Sequence, residues 1–347
     1  MNAEQAHPQA GTDVRAGGDV RAEPQGRRVT ILGGGVGGAK LSHGFALAAG
    51  WPDGPGRGVD LSVVVNTGDD LELHGLAVSP DLDTVMYTLA GLANEEAGWG
   101  LAGETWSAME MLARYGAETW FRLGDRDLAT HLRRSQGLRE GRRLTEVTAE
   151  LAARLGVPAR LLPMTDASVR TEIRTAEGWL EFQDYFVRRG HQDRVLEIRH
   201  RGIEAARPTA EVLRAVASAD LIVFAPSNPF VSIGTIMALP GMVESLHAAT
   251  APIVAVSPVV AGQALRGPAD RMLESLGGTA SATGVVEHYR SRYPGLVDVF
   301  VLDRADAGEA EALRESGIHV VVLETVMRDH GDRRRLAEGI LEAYLPG

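Results

Sequence analysis

The 347-residue chain contains no cysteine, which removes disulfides, thiolate nucleophiles and zinc-thiolate sites from its chemistry. It has no apolar run of about 18 residues, and its beginning lacks the apolar core of a signal peptide, so neither a membrane span nor secretion is expected. Nor is there a block of Lys and Arg. The formal charge is −11, whereas a general nucleic-acid binder offers clustered cations to phosphate backbones. What survives is a cytoplasmic enzyme with small-molecule substrates, whose anionic ligands meet local positive sites or a metal. No Ser/His/Asp nucleophile arrangement stands out, and His43, His74 and His131 are isolated, read as packed or solvated. With 44% hydrophobic residues the chain can bury a large core.

The densest feature is an apolar stretch, Val29 to Leu32, running into Gly33-Gly34-Gly35-Val36-Gly37-Gly38-Ala39-Lys40. Gly33, Gly35 and Gly38 fit a G-x-G-x-x-G spacing, and Leu41, Phe45 and Ala48 suit the apolar face of a following helix. Residues without side chains let backbone N–H groups converge on an anion at a helix N-terminus, and Lys40 can add a full charge. Two common uses of such a turn are not met. The second strand, Leu61 to Val65, ends in Asn66 rather than in the acid a nicotinamide ribose requires. Ala39 stands before Lys40 and Leu41 after it, so the Walker spacing with Ser or Thr is absent.

Residues 1–26 are polar and aperiodic and read as a disordered tail before a single α/β domain over 27–347. Helical spacing dominates from about 81 to 160, a helical insertion. Alternation from Val169 to Thr175 and from Trp179 to Phe186, around Ala176-Glu177-Gly178, predicts a β-hairpin. Short apolar strands at 221–225, 253–257, 297–302 and 319–323 then alternate with helices near 208–217, 238–249, 268–292, 307–316 and 332–343. That order predicts a doubly wound, mainly parallel Rossmann-like sheet, with Gly33, Asn66, Ser227 and Ser257 at strand carboxyl ends, where ligands bind.

Asn66-Thr67-Gly68-Asp69-Asp70 and Ser79-Pro80-Asp81-Leu82-Asp83-Thr84 bring four carboxylates to that edge. Oxygen-only donors beside a phosphate suit Mg²⁺, with Asp69, Asp70 and Asp83 as candidate metal or catalytic groups. Helix capping is the alternative for any one of them, Asp83 included. Phe121-Arg122-Leu123-Gly124-Asp125-Arg126-Asp127 forms a second polar cluster, in which Asp125 or Asp127 could cap the next helix. The third, Ser227-Asn228-Pro229 with Ser232-Ile233-Gly234, offers hydroxyls and amides to a base or phosphate. The fourth, Ser257-Pro258 with Arg266 and Arg271, adds positive charge near a helix start.

In this order, these constellations resemble the 2-phospho-L-lactate transferase family of coenzyme F-420 biosynthesis, including its phosphoenolpyruvate-using members. The motifs are those above together with Leu123 to His131 and Leu162-Pro163-Met164-Thr165-Asp166, so the likeness runs from about Arg28 to Leu345. It implies a Mg²⁺-dependent transfer of a phospholactyl or enolpyruvyl-phosphoryl group from a guanosine diphospho donor to a hydroxyl of the deazaflavin Fo, with release of GMP. It also implies that Asp83 and Arg122 contact Fo. Gly33, Gly34, Gly35, Gly37, Gly38, Lys40, Asn66, Ser227, Asn228, Ser232, Gly234 and Arg266 are the candidate nucleotide and phosphate contacts, and a homodimer is expected. The alternative is a UDP-sugar-binding regulator, because the related gluconeogenesis-factor family shares the Gly-rich start. Asp83-Thr84 and the Leu123 to His131 run look like the transferase.

Overall fold

The computed structural model describes residues 26–52 and 58–344. The tail expected over 1–26 therefore lies, apart from Gly26, outside the described residues. β1 (Arg27–Gly33) leads into α1 (Gly35–Ala48) and β2 (Val59–Val65). A small hairpin of β3 (Leu71–Leu73) and β4 (Leu76–Val78) follows, then α2 (Pro80–Leu89), α3 (Ser107–Arg114), α4 (Asp127–Arg139), α5 (Leu144–Arg154) and β5 (Arg160–Pro163). β6 (Arg170–Thr175), β7 (Gly178–Glu181) and β8 (Glu197–Arg201) form a separate antiparallel sheet. Thereafter come α6 (Ala210–Ala217), β9 (Leu221–Phe224), α7 (Ile233–Met237), α8 (Met242–His247), β10 (Ile253–Val256), the pair β11 (Val259–Val260) and β12 (Gln263–Ala264), and α9 (Ala269–Ser275). α10 (Ala282–Arg292), β13 (Val299–Asp303), α11 (Ala307–Glu315), β14 (Val320–Leu323) and α12 (His330–Tyr344) complete the order.

The central sheet has seven parallel strands in the order β14-β13-β10-β9-β1-β2-β5. This is the doubly wound architecture the alternation of strands and helices implied. Its strands are apolar on both faces because helices cover both. In β9, Leu221 and Val223 join the core on one side while Ile222 and Phe224 join the other. Fully burying such a side chain contributes about 1.5–3 kcal/mol, so these short strands supply much of the stability. The chain lays down β1, β2 and β5 in one direction and returns to β9 on the far side of β1. That reversal makes a crevice at the carboxyl ends of β1 and β9, where ligands of open α/β sheets bind.

Three local expectations are corrected. The second hairpin arm ends at Glu181 and not at Phe186; residues 184–188 turn into a π-helix. Turning brings Phe182, Tyr185 and Phe186 into one apolar cluster, with Phe182 and Phe186 stacked at 5.5 Å. The helix expected over 268–292 is two, α9 and α10, broken at Gly277 (φ +88°) and restarted by Ser281, whose hydroxyl accepts from the Gly284 N–H at 3.0 Å. The helix expected over 238–249 is likewise shorter: α8 starts only after Gly241 (φ +91°). The pair β3 and β4 was missed, although Leu71-Glu72-Leu73 and Leu76-Ala77-Val78 alternate around His74 and Gly75. Both turn residues have positive φ, as a tight hairpin requires.

Candidate active site

The glycine turn sits at the sheet's switch point, and its glycines are explained by what presses on them. A Cβ at Gly34 would collide with the Asp81 carboxylate, and one at Gly37 with the Pro226 carbonyl. A Cβ on Gly33 would stand 2.9 Å from the Ser227 hydroxyl. That hydroxyl donates to the Gly34 carbonyl at 2.8 Å and accepts from the Gly34 N–H at 3.1 Å, tying the β1 and β9 loops together. α1 then begins without an acid in its first turn, leaving its N-terminal partial charge uncompensated by its own side chains.

Asp81 supplies an internal anion there. Its carboxylate accepts from the Gly35 N–H and from Nδ2 of Asn66 at 3.0 Å, while Asn66 Oδ1 accepts from the Gly68 N–H at 2.9 Å. Asn66 thus spends its side chain bridging two loops. Asn228 does the same within its own loop, accepting from the Phe230 N–H at 2.9 Å. Ser232 is buried at the start of α7, one residue before Ile233 and two before Gly234.

Asp69 is buried beside Asp81, Asp70 is half-buried and faces Arg134, Arg170 and Asp83, and one oxygen of each, Oδ1, is buried without a hydrogen-bond partner. The other Asp70 oxygen accepts from the Ser79 hydroxyl at 2.8 Å; Ser79 precedes α2 but makes no side-chain cap. Burial, and then the neighbouring Asp81 charge, hold the Asp69 carboxyl well above the usual range. Burial pushes Asp70 up to about 7 and Asp81 up to about 6. Close, dehydrated like charges with orphaned oxygens are a poor resting arrangement, and a divalent cation with oxygen ligands fits them. A small polar cleft lined by Asp69, Asp70, Arg170, Thr171 and Gln183 opens beside them.

Asp83 lies elsewhere, and it is no cap: it sits in the fourth position of α2, facing α4. Arg134 grips both its oxygens, one at 3.0 Å and the other in a shorter contact. His131 stands between Asp83 Oδ2 at 3.7 Å and Asp127 Oδ2 at 3.2 Å, and the Tyr87 hydroxyl donates to Asp127 at 2.6 Å. Burial opposes Asp127 ionisation, but His131 and Tyr87 more than offset it and hold its carboxyl below the usual range. Asp83, Asp127 and His131 form the group of three potential ligands whose donor atoms converge within 4.8 Å among the described residues. The Arg134 guanidinium already supplies the cation against Asp83, so these five side chains read as an ion-pair network rather than a metal centre, although His131 Nε2 and Arg134 Nε in it have no hydrogen-bond partner.

Capping in the second cluster is exchanged. Asp125 caps the preceding helix α3, accepting from the Ser107 and Ala108 N–H groups at 2.9 Å. Glu104, unmarked in the sequence reading, caps α4 by accepting from Arg126 and Asp127 N–H groups at 2.9 and 2.8 Å. Gly124 leaves room for that carboxylate, and Asp127 is free to turn inward. The exposed Arg122 stacks over the Trp106 ring at 3.9 Å.

Lys40, the chain's sole lysine, donates to the Met327 carbonyl at 2.8 Å. Burial, then the charges of Arg333 and Arg266, lower its pKa. Neither Arg266 nor Arg122 has a carboxylate partner among the described residues. The structure therefore brings the glycine turn, Lys40, Arg266, Asn66, Asp69, Asp70 and Ser227 to one edge and sets Asp83 in the helical layer beside it. Asp81 is one of the four carboxylates expected at that edge but not one of the candidate ligands named there, and no sequence signal marks Arg134.

A family model described as 2-phospho-L-lactate transferase CofD matches residues 29–338. A phosphoenolpyruvate transferase of Streptomyces griseus is 43% identical over 320 residues, covering 91% of this chain and 98% of that protein. One from Kitasatospora aureofaciens is 44% identical over 307 residues, with 87% and 93% covered. One from Mycobacterium leprae is 42% identical over 311, with 85% and 93% covered. Among solved structures, a member of the UPF0052 family from Bacillus halodurans superposes with a TM-score of 0.62 at 17% identity, over 91% of this chain and 99% of that one; this likeness concerns the fold alone.

Proposed function

The chain belongs to the 2-phospho-L-lactate transferase CofD family and is a transferase of coenzyme F-420 biosynthesis; from that premise we propose the donor, the acceptor and the groups that serve each. The donor is a guanosine diphospho-carboxylate carrying lactate or enolpyruvate, and the acceptor is a hydroxyl of Fo. The acceptor oxygen bonds to the phosphorus bearing the carboxylate-linked group. The bond from that phosphorus to the bridging oxygen breaks, and GMP leaves with the electron pair. The observation that carries the reading is the pair of orphaned, buried oxygens on Asp69 and Asp70, the first of them beside Asp81 at the glycine turn.

The first turn of α1, with Lys40 and Arg266, binds the diphosphate, where fixed N–H groups and cations stabilise charge without reorganising. Asp69 and Asp81 are the residues that would hold Mg²⁺. Bound there, the ion would neutralise the phosphate oxygens and the leaving group. Asp70, with a pKa raised to about 7 by burial, is suited to accept the hydroxyl proton near neutral pH. Exposed Arg122, held over the Trp106 ring, orients the acceptor, and Asp83, its own oxygens fixed by Arg134, sets how α2 meets α4. Holding attacking and leaving oxygens in line is the main demand of phosphoryl transfer.

The test is incubation of purified protein with Fo and each guanosine donor, with Mg²⁺ or with excess chelator, followed by weighing the product and assaying GMP. Product that depends on the metal supports the reading. No product with any donor overturns the function, and full activity in chelator overturns the metal assignment. The same mixture containing a UDP-sugar reports on the regulator alternative through binding without turnover.

A further inference from the structure

The loop between α2 and α3 holds an exposed indole where exposure has no folding benefit. Trp99 is 47% exposed, yet its loop is not slack. Gly98 and Gly100 flank it at φ +78° and +70°, the Gly98 N–H donates to the Asn94 carbonyl at 2.9 Å, and the Asn94 N–H donates to the Gly100 carbonyl at 3.0 Å. Ala93 and Leu101 close the base as an isolated bridge. On the outer side Glu95 is pinned to α12, with Oε1 3.1 Å from His330 Nε2 and 3.0 Å from an Arg333 nitrogen. The indole is therefore presented by a built loop.

Its position gives the indole a use. A Cβ on Gly98 would lie 3.3 Å from the Val36 side chain, in the first turn of α1, and 3.7 Å from the Arg266 guanidinium carbon. The loop tip thus abuts the phosphate turn. Trp106 meets Trp99 edge to face, with centroids 6.2 Å apart, and its own ring carries Arg122 at 3.9 Å. The result is an aromatic wall with a solvent-facing indole, bounded by two guanidinium groups that lack carboxylate partners among the described residues. Rigid aromatic faces beside cations suit a flat, electron-rich ring system attached to anionic groups.

We infer that Trp99, backed by Trp106, is a stacking platform for a planar heteroaromatic ring bound beside the diphosphate site at the α1 turn. The ring belongs either to the nucleobase of the donor or to the tricyclic acceptor. The inference rests on the transferase reading only for the identity of these two molecules.

The experiment is equilibrium binding, without turnover, of GMP and of Fo separately to the full-length protein and to Trp99→Ala and Trp99→Phe. Trp99→Ala is expected to weaken one of the two ligands about tenfold or more, the scale for losing one ring stack, and the other less than twofold. Trp99→Phe should recover most of the loss, and the melting temperature should not move, because the side chain is exposed. Unchanged affinity for both rings overturns the platform; so does an equal loss of both, which would mean a collapsed loop, and so does wild-type protein that binds neither. Wild-type protein that stacks one ring at Trp99 but forms no product overturns the transferase assignment and leaves the platform standing.

Discussion

Asp69 and Asp83 lie within fifteen residues of each other and are about equally buried, at 5% exposure, but their surroundings are opposite. Asp83 has a guanidinium on both oxygens, inside a network that also satisfies Asp127 through Tyr87 and His131. Asp69 has an orphaned oxygen and a second carboxylate beside it. A buried charge costs several kcal/mol unless it is paired, so the Asp83 carboxylate is balanced within the protein and that of Asp69 is not. The contrast separates positioning from binding: the paired acids fix how α2 and α4 meet, and the unpaired ones are those that the proposed function assigns to a cation.

The largest effect should come from breaking the paired network. Arg134→Met strands Asp83 in the interior and is expected to cost about 3–5 kcal/mol of stability, read from denaturant unfolding. Pairing it with Asp83→Asn should recover part of that loss, because the two residues share one interaction. Strictly additive costs would show that the pair is not coupled.

Next in size is the unpaired group. Asp69→Asn should reduce single-turnover transfer about a hundredfold or more while leaving the melting temperature equal or higher, since an unpaired buried charge is removed. A large fall in stability with intact turnover would reverse the contrast between Asp69 and Asp83.

Outside both groups, Arg122→Ala should raise KM for Fo about tenfold, the scale of one hydrogen bond to a charged group, with little change for the donor. Arg122→Lys should restore part of it, keeping the charge but not the stacked fork. Equal changes for both substrates would make Arg122 a structural partner of Trp106 and no more.

The smallest effect is a pH difference of a few degrees in melting temperature, since about 1 kcal/mol moves a chain of this size by only roughly 1–2 °C. Asp70 has a folded pKa of about 7 against an ordinary 3.8. The folded protein therefore binds the extra proton, and the stability this group contributes is lost as pH rises from about 4 to about 7. His43, lowered to about 4 by burial and Arg333, acts in the opposite sense, its contribution being lost as pH falls from 6.5 to about 4. Comparing wild type with Asp70→Asn isolates the first: the variant should lose less stability between pH 5 and pH 7, about the range in which a raised carboxyl titrates. Identical pH profiles would remove Asp70 from the unpaired group.

Much of this was legible in the chain order. Runs such as Leu221 to Phe224 and Ile253 to Val256 are apolar on both faces and short, and only a covered parallel sheet accommodates several of them between helices. The glycine turn was legible because glycine has few uses at that density. Helix breaks were less so: the apolar pattern carries past Gly277, and Phe182 to Phe186 alternates well enough to pass for a strand. Asp83 is expected from the sequence as a site residue, but its partner is Arg134, 51 positions away, and no local pattern marks a residue whose purpose is set across a helix pair.

By itself, then, the sequence determined the order of strands and helices, the glycine turn and the supply of carboxylates, because periodicity, turn chemistry and residue type act over a few neighbouring positions. Only the tertiary structure decided which acids are paired and which are left open. Ionisation and pairing depend on burial and on partners brought from α4 and from the β9 loop, and those distances exist only once the sheet has reversed at β1 and the helices have packed against it.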